Sequence, residues 1–323
     1  MKAAYIIETG TTDRIIWGDL ADPKPKNGEL LIEVEAVAIN AVDTFIRSGI
    51  YQTQLPAPFI LGRDAIGRVV AVGAEVQQFH IGDRVWTNSM GYDGRQGVTS
   101  QLAIIPENRA FLAPKGVDSY QLVGSVHAAA TALLVVEEMM RLEASQWLLV
   151  EGAAGHVGTK LVQAAKAKGA TIATTSHPRD FDLLRRLGAR ECFSYADKAL
   201  GSQLRTLRPD GFDHIIDTSG KNALQDNLDL LAHHGAVTMI TKPKEAIFNP
   251  QTFYMRSQSL RGFVISQVPL SQLQRVGEQL NQAFAKGELL EEQVRLLPMS
   301  EAALGHRLLE EKAEKKKLVL TAF

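Results

Sequence analysis

Hydrophobic positions along the chain follow two regimes. Between about residues 122 and 291, apolar runs of strand length alternate with segments of helical period. Trp147–Glu151, Ala170–Thr175, His214–Asp217 and Ala236–Ile240 read as buried strands, and a short strand is expected near Cys192 and Phe193. Among them, Val157, Leu161, Ala164, Ala165 and Lys168 keep helical spacing with Gly169 as a cap, and Phe181–Leu187 predicts a helix stopped by Gly188. A further helix is expected before His214, and another over Asn222–Leu231 that ends near Gly235. Strands alternating with helices in this way predict a doubly wound parallel sheet.

The first 120 or so residues look different. Leu30–Val37, Gly67–Gly73 and Gly82–Trp86 are short alternating runs punctuated by Gly and Pro, the pattern of a compact β-rich domain. After a helix predicted over Leu273–Lys286, Gln293–Pro298 and Lys317–Leu320 return to that style and are expected to add strands to the first domain. The predicted organisation is α/β: a discontinuous β-rich domain over 1–121 and 292–323, with a parallel-sheet domain over 122–291 inserted.

The most informative segment is Trp147–Glu151 followed by Gly152-Ala153-Ala154-Gly155-His156-Val157-Gly158, where a buried strand passes through a small-residue turn into a helix. Gly155 lets the backbone approach a pyrophosphate, Gly158 lets the helix pack on the strand, and the unpaired N–H groups of the helix start attract negative charge. Ala153 replaces the first glycine of the G-x-G-x-x-G pattern. The bland alternative is an ordinary tight turn. At the end of the next strand, the acid that would bind the ribose 2′-hydroxyl of NAD is missing, and Thr174, Thr175, Ser176 and His177 stand there with Arg179 beyond. Hydroxyls and a guanidinium suit a 2′-phosphate, so NADP(H) is the expected cofactor. Arg179 can also be a solvated residue beside Asp180. Ser219, in Asp217-Thr218-Ser219-Gly220, is placed either to touch cofactor or to cap a helix.

Composition narrows the function. The chain has 323 residues, 45% hydrophobic and 22% charged, with net charge −1, enough for two cores and without a nucleic-acid footprint. The cationic run Lys315-Lys316-Lys317 is offset by Glu310, Glu311 and Glu314. Cys192 is the single cysteine, which excludes internal disulfides and Cys-rich zinc sites. No apolar stretch is expected to reach membrane-spanning length, no signal peptide or internal repeat is read, and a cytoplasmic location is expected.

Several segments carry a resemblance in order and spacing: Met1-Lys2-Ala3, Asn40–Asp43, Arg47–Gly49, Tyr51, Leu61–Asp64, Gly67, Phe79, Gly82–Val85, the Gly155 turn, Asp217–Gly220 and Leu260–Phe263. Together they make the chain similar to the medium-chain dehydrogenase/reductase superfamily, in its zinc-free quinone oxidoreductase (zeta-crystallin-like) branch. The resemblance implies a GroES-like catalytic domain and a Rossmann cofactor domain. Zinc-dependent relatives carry Cys where this chain has Asn40 and a His-Glu pair where it has Arg63-Asp64, and His127 falls near a third ligand position. One imidazole cannot hold a catalytic zinc, so no metal is expected.

Without a Lewis acid the resemblance implies hydride transfer from NADPH to an electron-poor acceptor, first a quinone, alternatively the β-carbon of an enone or alkenal. A regulatory or single-stranded RNA-binding role is a different class of reading, which the neutral charge balance disfavours. By resemblance Asn40, Asp43 and Tyr51 border the nicotinamide. Asn40 either donates to the substrate oxygen or closes a turn, and Tyr51 either meets substrate or covers core. Phe45 stands where relatives often have tyrosine. Cofactor contacts implied are Thr131, Gly155, His156, Val157, Ser176, Arg179, Tyr195, Phe263 and Lys317, with Thr175 beside them. Residues Thr87–Ser100 are expected to form a mobile loop at the substrate pocket, and Leu260–Val268 an edge through which relatives form a homodimer.

Overall fold

The computed structural model describes residues 1–322. The chain divides into two compact units, Met1–His127 with Val268–Phe323 and Ala128–Gln267. These boundaries differ from the expected 121/122 and 291/292. The first falls inside the helix Ser119–Leu134. The second moves because the helix Leu270–Ala285 packs on the β-rich unit: Trp86 Nε1 donates to Asn281 Oδ1 at 2.8 Å, Phe284 meets the Trp86 ring edge-on at 6.5 Å, and a Cβ on Gly277 would lie 2.0 Å from the Phe111 ring.

In the first unit a seven-stranded sheet runs Val294–Pro298, Lys317–Thr321, Glu29–Ala38, Asp64–Val72, Arg84–Thr87, Ala110–Leu112, with Leu102–Pro106 also paired to Glu29–Ala38. The C-terminal strands therefore do rejoin the N-terminal ones. Alternate residues Ile32 and Val34, with Val37, Leu318 and Leu320, share one apolar core. Register decides what meets at the sheet's end. Val319 pairs with Ala38 in antiparallel fashion and Ala38 pairs with Asp64, so Lys317, Asn40 and Asp64 converge. A three-stranded antiparallel sheet, Ile16–Asp19, Lys2–Ile6, Phe59–Ile60, completes the unit.

The second unit is a six-stranded parallel sheet in the order Glu191–Ser194, Thr171–Ser176, Trp147–Glu151, Phe212–Asp217, Leu231–Met239, Ser259–Gly262. Period-2 alternation sends Leu148 and Val150 to one core with Leu161, Val162 and Leu184, and Leu149 to the other with Leu204, Leu224 and Leu228. The helix His156–Ala167 ends with Gly169 at φ +78°, as its spacing predicts. One helix is shorter than expected. It covers Leu224–Leu230, and the next strand begins at Leu231, pairing with Phe212. Gly235 lies inside that strand rather than at the helix end, because a Cβ there would meet Phe212 O at 2.9 Å. The helical run Ser119–Met140, 22 residues long, is apolar enough to span a membrane, contrary to expectation; 72% of its most apolar window is buried, the character of a core helix.

Candidate active site

In the second unit, strand order reverses between Trp147–Glu151 and Phe212–Asp217, the switch point at which open parallel sheets bind ligands beyond their carboxyl ends. The glycine turn sits there. Gly152, at φ +68°, donates its N–H to Thr175 Oγ1 at 3.2 Å, and Ala153 N donates to Thr175 O at 3.0 Å. Thr175 is thus a buried support of the turn as well as a strand-end hydroxyl. A Cβ on Gly158 would lie 2.6 Å from the Ala153 backbone, so strand and helix approach as closely as glycine permits. Gly155 differs: its φ of −77° suits any residue, and the nearest atom to a Cβ is Gly152 O at an ordinary 3.5 Å. The fold itself has no need of glycine here, whereas a pyrophosphate approaching the backbone does. The first helical amide with a partner in the turn is Thr159 N, bonded to Gly155 O at 2.9 Å, and the amides of His156, Val157 and Gly158 before it form the helix start. These features fit a dinucleotide.

Ser176 is buried, its hydroxyl donating to His177 O at 3.1 Å. Beyond it the Arg179 side chain is 57% exposed, with Nε 3.8 Å from Asp180 Oδ1, and the exposed Tyr195 meets His177 edge-on at 6.4 Å. Ser219 does not cap the next helix, which begins at Leu224 after Ala223; its N–H and hydroxyl donate to Asp217 Oδ1, at 2.8 and 2.6 Å, and its hydroxyl oxygen accepts from Lys221 N at 3.1 Å, closing a turn. Phe263 N donates to Met239 O at 3.0 Å, one strand from the edge, and Thr131 is buried on the helix Ser119–Leu134. A carboxyl pair at the switch point escaped sequence reasoning. Glu151 pairs in register with Asp217, and burial, then the Asp217 charge, push its carboxyl up to about 8.

In the first unit a polar network is buried where the sheet ends. Asn40 precedes the helix Ala41–Ser48, and its N–H donates to Asp43 Oδ2 at 2.7 Å, so the turn-closing reading holds for the backbone. Its side chain does something else. Lys317, 4% exposed, donates from Nζ to Asn40 Oδ1 at 2.6 Å and to Ile39 O at 2.9 Å, while Asn40 Nδ2 donates to Asp64 Oδ2 at 2.8 Å. An ammonium can only donate, so the amide's orientation is fixed. Asp64 Oδ1 accepts from Ser89 N at 3.1 Å, and His127 Nδ1 lies 3.5 Å from Asp64 Oδ2. Those neighbours outweigh burial and hold the Asp64 carboxyl below its usual value, whereas burial lowers His127.

Asp43 is 3% exposed, and burial pushes its carboxyl up to about 7 against the pull of Arg63. Tyr51 covers core, packing on the cluster of Ile6, Ile46, Phe59 and Leu61, and it also stacks on Tyr92 at 5.8 Å. Phe45 is 46% exposed. Lys317, grouped with the cofactor contacts from sequence, lies in this unit against Asn40. Asp64 as hub, Arg63 and Tyr92 were not singled out as site residues. Arg63 and Asp64 were marked only as standing where zinc-dependent relatives keep a His-Glu pair, and Tyr92 only as part of the Thr87–Ser100 loop expected at the pocket.

The donor set does not fit a zinc ion. Asn40 and Arg63 occupy two of the positions concerned, the Lys317 ammonium abuts Asn40, and among the described residues no three His, Cys, Asp or Glu side chains group closely enough to hold a metal.

Comparison with known proteins agrees with this architecture. Residues 26–115 match the alcohol dehydrogenase GroES-like domain and residues 157–282 match the domain family described as zinc-binding dehydrogenase. The quinone oxidoreductase of Sus scrofa is 27% identical over 309 residues, covering 95% of this chain and 93% of that protein. A 2-haloacrylate reductase of a Burkholderia species is 28% identical over 241 residues, 73% of this chain and 71% of that protein. The solved structure of an NAD-dependent alcohol dehydrogenase, 24% identical, superposes with a TM-score of 0.89 over 100% of both chains, a likeness of fold. A GroES-like unit, a Rossmann sheet with its glycine turn at the switch point and these full-length relatives together place the chain in the medium-chain dehydrogenase/reductase superfamily, in its quinone oxidoreductase branch, as an oxidoreductase that uses a nicotinamide cofactor.

Proposed function

We propose that the protein is a zinc-independent, NADPH-dependent oxidoreductase that delivers hydride to a conjugated, electron-poor acceptor, a quinone in the first instance. The observation that carries this reading is the Lys317–Asn40–Asp64 chain, which holds a buried, oriented amide where a metal ligand would otherwise stand. When bound at the glycine turn, the cofactor supplies the hydride. The protein's own residues do the rest. Asn40 spends one Nδ2 hydrogen on Asp64 and has the second for an oxygen that gains charge as the acceptor is reduced. Asp43, with a carboxyl near 7, is about half protonated at neutral pH and can yield that proton. The Tyr51–Tyr92 stack offers a planar surface to a planar acceptor.

NADPH is preferred over NADH on this reading because no acid follows the second strand and Ser176 and Arg179 stand there. Carbon–carbon double-bond reduction is a second form of the same chemistry, favoured by the likeness to the 2-haloacrylate reductase. We further propose a cytoplasmic homodimer; Ser259–Gly262 is an edge strand of its sheet and is the surface a second copy would extend. Steady-state NADPH oxidation against a panel of quinones and enones tests the assignment, with zinc analysis of the purified protein beside it. Turnover without stoichiometric zinc is expected. Activity lost to chelator and restored by zinc overturns it.

A further inference from the structure

Arg63 makes no hydrogen bond in the network described above, although its charge acts on Asp43 and Asp64. It precedes the strand Asp64–Val72, is 1% exposed, and its Nε, Nη1 and Nη2 are all buried without a hydrogen-bond partner. A buried guanidinium left in that state is costly, and structures keep one only where something satisfies it. Its one favourable neighbour among ring systems is Tyr92, whose ring centroid lies 5.8 Å from the Arg63 guanidinium carbon. The Arg95 guanidinium carbon lies 6.0 Å from the same centroid, and Arg95 Nε is also buried and unpartnered. Arg109 feels both. Burial first, then Arg95 and Arg63, lower its guanidinium to about 10.

Carboxylates nearby offset this cluster only in part: the Asp64 charge acts on Arg63, but no hydrogen bond joins them. Both Asp64 oxygens are engaged, by Ser89 N and Asn40 Nδ2. Asp43 gives Oδ2 to Asn40 N and leaves Oδ1 buried without a partner, and its raised pKa makes it a poor counter-ion at neutral pH. Asp93 is the remaining acid felt by Arg95 and Arg109, and it is exposed. Cations therefore outnumber ionised carboxylates around the Tyr51–Tyr92 stack, and the fork of Arg63 is the geometry that a carboxylate accepts in two parallel hydrogen bonds.

We propose that Arg63, with Arg95 and Arg109, recognises an anionic group on the acceptor, and that the acceptor is a conjugated carbonyl compound carrying a carboxylate. This rests on the oxidoreductase reading and narrows it. The carboxylate supplies the missing partner of Arg63, the tyrosine stack receives the planar conjugated part, and the acceptor oxygen goes to Asn40. In the reaction the conjugated C=C becomes a single bond, taking a hydride from NADPH, which leaves as NADP⁺, and a proton from the Asp43 carboxyl or water. The carboxylate is unchanged.

The test compares 3-benzoylacrylate with its methyl ester at saturating NADPH, with menadione as a neutral quinone. The acid should exceed the ester in kcat/KM by about 10–100-fold, chiefly through KM, as charge-assisted bidentate binding provides. Arg63→Met should bring acid and ester together, Arg63→Lys should keep part of the difference, and Arg95→Gln, at a half-buried side chain, should narrow the difference while leaving Arg63 in place. Titration of 3-benzoylacrylate into the NADP⁺-loaded protein should show the same loss in Arg63→Met, while the Kd for NADPH is unchanged. Equal rates for acid and ester in the wild type overturn the proposal and leave the oxidoreductase reading intact. A fall in NADPH affinity in Arg63→Met also overturns it, since the cluster would then serve cofactor phosphates. If none of the acceptors is reduced, the oxidoreductase reading is what fails, and the titration alone decides whether the anion site stands.

Discussion

The two units build their chemistry by opposite means. In Ala128–Gln267 the candidate cofactor site is mostly backbone: one contiguous turn, Gly152 to Gly158, shaped by a positive φ, a close approach to Ala153 and the N-terminal end of a helix. In the other unit it is side chains from positions far apart, with Asn40, Asp64 and Lys317 brought together by sheet register and His127 added from the helix Ser119–Leu134. A backbone site survives most substitutions that keep its glycines. A network of buried polar groups depends on every member, because removing one strands its partners without water.

That contrast can be broken most forcefully at Lys317. Lys317→Met should destabilise the protein by about 3 kcal/mol in urea unfolding, because Asn40 Oδ1 and Ile39 O lose their donor and Asp43 a compensating charge. A change within about 0.5 kcal/mol would show that the network is dispensable.

Asn40→Ala should lower turnover with a reactive quinone by up to ~10²-fold at saturating NADPH, while Tyr51→Phe should keep much of it. The reverse result would assign the essential proton to Tyr51. In the other unit, Gly158→Ala should cost about 1–3 kcal/mol, since its Cβ meets backbone rather than a side chain that can swing away.

Each unit also holds one buried carboxyl whose protonation sharpens the comparison, Asp43 raised from 3.8 to about 7 and Glu151 raised from 4.5 to about 8. Folding favours the protonated form of both. Stability from these groups is therefore complete below about pH 4 and is lost as pH rises through 7 for Asp43 and through 8 for Glu151. Denaturant melts from pH 5 to 9 should show a decline, roughly halved below about pH 7 in Asp43→Asn, and in Glu151→Gln both roughly halved there and abolished between about 7 and 8. The smallest effect is expected at Arg179, because its side chain is 57% exposed. Arg179→Ala should weaken NADPH by roughly fivefold in a fluorescence titration, about 1 kcal/mol, with NADH unchanged.

What the sequence determined by itself is what contiguous residues encode. Strand-length apolar runs, helical spacing and glycines at Gly152, Gly155 and Gly158 are local, so the parallel sheet, its turn and the return of the Lys317 strand to the first unit were legible. Local patterns also misled where tertiary pairing competes with them. Leucine spacing runs on past Leu230, but pairing of Leu231 with Phe212 ends the helix there, and the periodic helix Leu270–Ala285 gives no sign that its partners are Trp86 and Phe111. The side-chain site was the least legible part. Asn40 was visible by resemblance, at a position where relatives keep a metal ligand and beside the nicotinamide, and Lys317 as a base opening a strand near the end of the chain and grouped with the cofactor contacts. Their meeting follows from antiparallel register across the whole length of the chain, and the burial that raises Asp43 and strands Arg63 exists only once the sheet has closed over them. Charge and hydrogen-bonding capacity are properties of residues. Desolvation belongs to the fold, and it turns a polar residue into a site.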